Sequence, residues 1–119
     1  MAELLDDSVL DQLFRDARSH NAWASQSFGE ADMRAIYALA RMGPTSVNSS
    51  PARFVWVASP EAKDRLAACA STDNAAKIRA APVTVIVAYD LDFAEKLPQL
   101  MPKKPDVKKL FANPEIAQV

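Results

Sequence analysis

Apolar residues recur at three- and four-residue steps near the start of the chain: Val9, Leu10, Leu13, Phe14 and Ala17. That spacing gathers them on one helical stripe, while Asp6, Asp7, Asp11, Gln12, Arg15 and Asp16 fill the other face. Ser8 is the candidate N-cap, and Asp11 sets an acid near the positive end of the helix. The pattern fails at Arg18, where Ser19, His20 and Asn21 are polar turn formers and Trp23 stands as an isolated anchor. A second helix is predicted from about Glu30 to Arg41 on Met33, Ile36, Tyr37, Leu39 and Ala40, with Gly43 and Pro44 as its stop. The following segment, Pro44-Thr45-Ser46-Val47-Asn48-Ser49-Ser50-Pro51, cannot be helical throughout. It combines two prolines with five residues that favour caps and turns.

The pattern then changes. Phe54-Val55-Trp56-Val57-Ala58 is a short run of β-preferring residues. Ser59-Pro60-Glu61 supplies a cap, an N1 proline and a first-turn acid, so a helix is predicted to about Ala70. Ser71-Thr72-Asp73 interrupts it, and Asn74 to Ala80 forms a further short helix. Pro82 opens Val83-Thr84-Val85-Ile86-Val87-Ala88-Tyr89, apolar on both faces as in a strand covered on two sides. Asp90 and Asp92 mark its exit, and Phe93 to Leu97 reads as a helical turn. Beyond it Pro98, Pro102, Pro105 and Pro114 punctuate Lys103, Lys104, Lys108 and Lys109, an extended or loosely helical surface excursion rather than a phosphate patch. This order makes an α/β or α+β domain. Two strands alone are a poor sheet, so completion by a partner chain or by further sequence is expected.

Composition narrows the chemistry. A length of 119 residues is one domain's worth of chain. Fourteen basic against fifteen acidic side chains leave no cationic excess for nucleic acid or an anionic membrane. No apolar run approaches the roughly 18 residues of a membrane span. The acidic first residues lack the cationic start of a signal peptide, so a cytoplasmic protein is expected. Cys69 is alone, which excludes an intrachain disulfide and speaks against a Cys-based zinc site. One His and two Gly argue against a multi-His metal centre and a Gly-rich phosphate loop. No metal is expected.

The loop and the approach to the second strand carry a resemblance. Pro44-Thr45-Ser46-Val47-Asn48-Ser49-Ser50-Pro51-Ala52-Arg53-Phe54-Val55 and Asn74-Ala75-Ala76-Lys77-Ile78-Arg79-Ala80-Ala81-Pro82-Val83 resemble two motifs of the FMN-dependent nitroreductase superfamily. Arg18-Ser19-His20-Asn21-Ala22-Trp23 sits where that family has its first phosphate- and ribityl-binding motif. The variant Ser49-Ser50-Pro51-Ala52-Arg53 looks most like the malonic semialdehyde reductases of pyrimidine breakdown. The similarity runs from about Leu10 to Ala117 and matches the N-terminal part of the family. It implies an α+β, three-layer α-β-α sandwich, with residues 1–119 as a single domain lacking its C-terminal half. It further implies completion as a homodimer with flavin at the interface.

The resemblance also assigns residues. Arg18, Ser19, His20 and Asn21 would meet phosphate and ribityl oxygens; Pro44, Thr45, Ser46 and Asn48 would form a Pro-braced polar edge. Asn74 and Lys77 would address the pyrimidine edge of the ring, where a cation favours the reduced flavin. They stand three positions apart along a helix, which places both on one face. Ala17 and Asn21 depart from the family, each standing where many members carry a cation. Arg53 is a candidate partner for the carboxylate of a short acid substrate. Read singly, Arg18 serves as a helix C-cap, Ser46 and Asn48 as turn formers, Lys77 as a solvent lysine and His20 as a local hydrogen-bonding group. The implied activity is NADH- or NADPH-dependent reduction of malonic semialdehyde to 3-hydroxypropionate, with the hydride carried by the flavin. The alternatives are a general nitroreductase or flavin reductase, and a non-catalytic α/β module.

Overall fold

The computed structural model describes residues 4–113. The first helix, α1 (Asp7–Leu10), is capped by the carboxylate of Asp6, which accepts the Ser8 N–H at 2.8 Å. The cap is therefore Asp6 rather than Ser8, because a carboxylate two positions upstream reaches the same orphan donors. A π turn, Asp11–Arg15, continues α1, and Arg15 bridges Asp7 and Asp11 at 3.0 and 2.6 Å. The wider turn ends the 3.6-residue stripe early and leaves Leu13 and Phe14 exposed.

Helix α2 (Glu30–Ala40) starts where the Gly29 N–H donates to the Asp32 carboxylate at 2.8 Å. A single 3-10 turn, Ser46–Asn48, precedes strand β1 (Ala52–Val57). Helix α3 (Pro60–Ala67) uses the Ser59 cap as expected, with the Ala62 N–H donating to Ser59 Oγ at 3.2 Å. It stops three residues short of Ala70, because Cys69 and Ala70 close 3-10 bonds onto Leu66 and Ala67. Helix α4 (Thr72–Ala80) lies against α3, joined by Arg79–Asp64 at 2.8 Å. The Lys63 ammonium donates to the carbonyls of Arg79 and Ala81 at 3.2 and 2.9 Å, satisfying the end of α4.

Strand β2 (Thr84–Tyr89) pairs antiparallel with β1, with Ala52 opposite Tyr89 and Val57 opposite Thr84. A 3-10 turn (Phe93–Lys96), a short helix α5 (Leu97–Leu100) and a longer 3-10 segment (Pro105–Ala112) follow. Phe93 and Phe111 meet edge to face at 5.0 Å and hold this last segment back on itself. The described residues are thus α+β, with a two-stranded sheet.

Register assigns the two faces. Ala52, Phe54 and Trp56 share one with Val85, Val87 and Tyr89; Arg53, Val55 and Val57 share the other with Thr84, Ile86 and Ala88. Helix α2 touches the first face through Tyr37 on Phe54, ring centroids 5.8 Å apart. Strand β2 was expected to be covered on both sides, yet Ile86 on one face and Val87 and Tyr89 on the other are all exposed. Buried apolar side chains among the described residues are few and mostly small: Val57, Ala67, Ala75, Ala81 and Leu97. No helix of the described residues is long and apolar enough to cross a membrane.

Candidate functional site

The turn between α2 and β1 has the most unusual backbone of the described chain. Val47, Asn48 and Ser50 all have positive φ, at 45°, 55° and 44°. Asn tolerates the left-handed region, but a β-branched residue such as Val47 does so only when its surroundings over-determine it. Those surroundings are visible. The Ser50 N–H donates to Thr45 Oγ1 at 3.1 Å, the Ser49 N–H to Ser46 O at 2.9 Å, and Asn48 Nδ2 to Leu100 O at 2.9 Å. Ser49 is buried, whereas Pro44, Thr45, Ser46 and Asn48 face solvent.

Arg53 leaves the loop at the start of β1, and its guanidinium turns back. Nη1 is shared among the carbonyls of Ser50, Pro51 and Ala52 at 3.1, 3.2 and 2.8 Å, and Nη2 donates to Asp90 Oδ2 at 2.5 Å. The same Asp90 oxygen receives the Lys96 ammonium, while Asp90 Oδ1 accepts the Asp92 N–H at 3.0 Å. The Lys96 ammonium foremost, then the Asp92 N–H and Arg53, hold the Asp90 carboxyl down at about 2. Sequence reading took Asp90 only as a strand exit. Its signal was the Asp-Leu-Asp spacing that makes a local side-chain turn, which says nothing of a cation thirty-seven positions earlier.

The remaining assigned residues fall into two further groups. Arg18 donates through Nη1 to the carbonyls of Arg15 and Ala17 at 2.9 and 2.7 Å, closing the end of the π turn. Ser19, His20 and Asn21 lie exposed beside it. Asn74 and Lys77 sit exposed on α4, and the Lys77 ammonium pairs with no carboxylate among the described residues. Within those residues no hydrogen bond or ion pair links the Arg18 segment, the 44–51 loop and the Asn74–Lys77 pair to one another. A separate open groove of about 910 Å³ runs between α2 and β1, lined by Met33, Tyr37, Phe54 and Trp56 with Arg34, Arg41 and Arg53. Of the residues assigned from sequence, only Arg53 reaches it. No group of three or more His, Cys, Asp or Glu side chains suited to a metal occurs among the described residues.

Comparison with known proteins gives these groups a context. The chain is 52% identical over 115 residues to a Caulobacter sp. (strain K31) protein named "Putative NADH dehydrogenase/NAD(P)H nitroreductase", covering 97% of this chain and 59% of that one. It is 52% identical over 110 residues to a Caulobacter vibrioides (strain NA1000) protein of the same name, covering 92% and 56%. A Burkholderia lata relative, again so named, is 53% identical over 109 residues, covering 92% and 55%. The likeness to nitroreductases is thus sustained along nearly the whole chain. The chain spans between 55% and 59% of the length of these curated relatives. The names of these relatives carry the word nitroreductase, as the resemblance does, and mention NAD(P)H; they name neither FMN nor malonic semialdehyde. No protein-family model matches the chain.

Proposed function

We propose that this chain contributes one part of the flavin site of an NAD(P)H-dependent oxidoreductase of the nitroreductase type. The observation that carries the reading is the 52–53% identity, over more than nine-tenths of the chain, to proteins of that name. The donor set suits FMN. Arg18 offers a guanidinium for phosphate, Thr45 and Ser46 offer hydroxyls on a braced loop, and Lys77 offers an exposed ammonium for the pyrimidine edge. Bound FMN would supply the hydride relay between nicotinamide and acceptor. The chain's own residues bind and orient, and none need act as a nucleophile. The donors form three separate exposed groups, so the complete site is proposed to form in a homodimeric three-layer sandwich with the remaining length found in the relatives.

Two acceptor classes follow. A nitroarene or quinone needs no fixed cation, which agrees with an Arg53 already engaged by Asp90 and three carbonyls. Malonic semialdehyde is the finer reading, resting on Ser49-Ser50-Pro51-Ala52-Arg53, and requires Arg53 to exchange a partner for the substrate carboxylate. The test is FMN titration by flavin fluorescence, followed by NAD(P)H oxidation with each acceptor. Saturable FMN uptake and nitroarene turnover support the proposal. A colourless chain that takes up no FMN, even with its longer form supplied, overturns it in favour of a non-catalytic module. Preferential turnover of malonic semialdehyde selects the finer reading.

A further inference from the structure

The 44–51 loop is tied to distant parts of the chain at its middle, through Asn48 to Leu100 O, and at its exit, where one residue gathers the ties. Asp90, its side chain only 16% exposed, holds the Arg53 guanidinium and the Lys96 ammonium together. Its own N–H donates to Pro51 O at 2.9 Å, so backbone and side chain of Asp90 both grip the loop exit. Arg53 carries that grip back onto the Ser50, Pro51 and Ala52 carbonyls. The first of these carbonyls belongs to Ser50, which like Val47 is left-handed, a conformation that a β-branched residue such as Val47 keeps only under external constraint.

We propose that Asp90 is a positioning residue: through Arg53 it fixes the shape of the strained 44–51 loop and so sets where Thr45, Ser46 and Asn48 present their polar groups. This rests on the reading of that loop as part of a flavin site, but its first consequence concerns the loop itself. Lys96 shares Oδ2 with Arg53 and the Asp92 N–H takes Oδ1, so both carboxylate oxygens are engaged while Arg53 stays turned onto the loop. A planar guanidinium reaches carboxylate and carbonyls at once; an ammonium is a point donor and does not span both.

Hydrogen exchange on the chain, wild type against Asp90→Asn, tests this. The Ser49 and Ser50 amides should exchange about ten-fold faster, as expected for loss of a charge-assisted bond, while the Lys63 amide of α3 keeps its rate. Arg53→Lys should release the same amides, and the double variant should be no faster than either single one. FMN affinity should fall about ten-fold in step. Unchanged loop exchange in both variants overturns the proposal, as does a rise shared equally by loop and α3, which marks general destabilisation. Should Asp90→Asn fail to fold, Arg53→Lys decides alone by the same ratio. Loop release in the variants, with no FMN uptake by the wild type even in its longer form, leaves the positioning role standing and sinks the flavin reading.

Discussion

The carboxyl of Asp90 is held at about 2 by Lys96, the Asp92 N–H and Arg53, well below the ~3.9 of an unfolded aspartate. A folded-state value below the unfolded one means that the ionised form stabilises the native chain. That contribution is complete above about pH 4 and is lost as pH falls toward and through about 2. Thermal midpoints of wild type should therefore drop over that window, and Asp90→Asn should lose this part of the acid dependence. A variant whose midpoint falls just as steeply would place the acid sensitivity elsewhere. Asn48 offers a second measurement at this scale. Its amide reaches Leu100 O, fifty-two positions away, and its side chain tolerates the left-handed backbone. Asn48→Ala should cost about 1–2 kcal/mol in denaturant unfolding. The left-handed backbone at Val47 was not legible in the sequence, because the bonds that brace its loop reach Leu100 and Asp90, far along the chain.

Element by element, local chemistry accounts for what could be read. Helix α3 follows from Ser59, Pro60 and Glu61, whose roles at a helix start depend on nothing distant. Ser59→Ala removes the acceptor of the Ala62 N–H, and chemical denaturation should report a loss of about 0.5–2 kcal/mol. If stability is unchanged, the cap is being replaced by solvent. The runs around Phe54 and Val85 became strands as expected, because β-branched and aromatic residues dominate both. Two elements ran differently for competing local reasons. In α1, Arg15 reaches both Asp7 and Asp11 across a widened turn that the apolar spacing did not announce. The Asn74–Lys77 helix begins two residues early, at Thr72, with Ser71 in the N-cap position. Neither shift moves a candidate residue off its element: Asn74 and Lys77 remain on α4, three apart.

Across the whole molecule the arithmetic of surface is decisive. A self-contained chain of this mass exposes about 6,300 Å², whereas this one exposes 9880 Å². Its radius of gyration is 18.6 Å, against about 13.5 Å for a compact chain of this length. Part of that surface is apolar and lies on the sheet: Val85, Val87 and Tyr89 beyond the reach of α2, and Ile86 and Val55 on the opposite face. The apolar pattern of Val83 to Tyr89 predicts cover on both faces, whereas Ile86, Val87 and Tyr89 stand exposed among the described residues. Val87, 67% exposed opposite Phe54, separates local stability from assembly. Val87→Lys removes an apolar side chain from the open face without opening a cavity, so the chain's own unfolding free energy should move by no more than about 0.5 kcal/mol. Hydrophobic-dye binding and self-association in sedimentation velocity should both fall, because a lysine at the middle of an apolar strand face must be desolvated when that face is covered. Equal association of wild type and variant would mean that another surface, such as exposed Leu13 and Phe14 of the first helical segment, drives assembly instead.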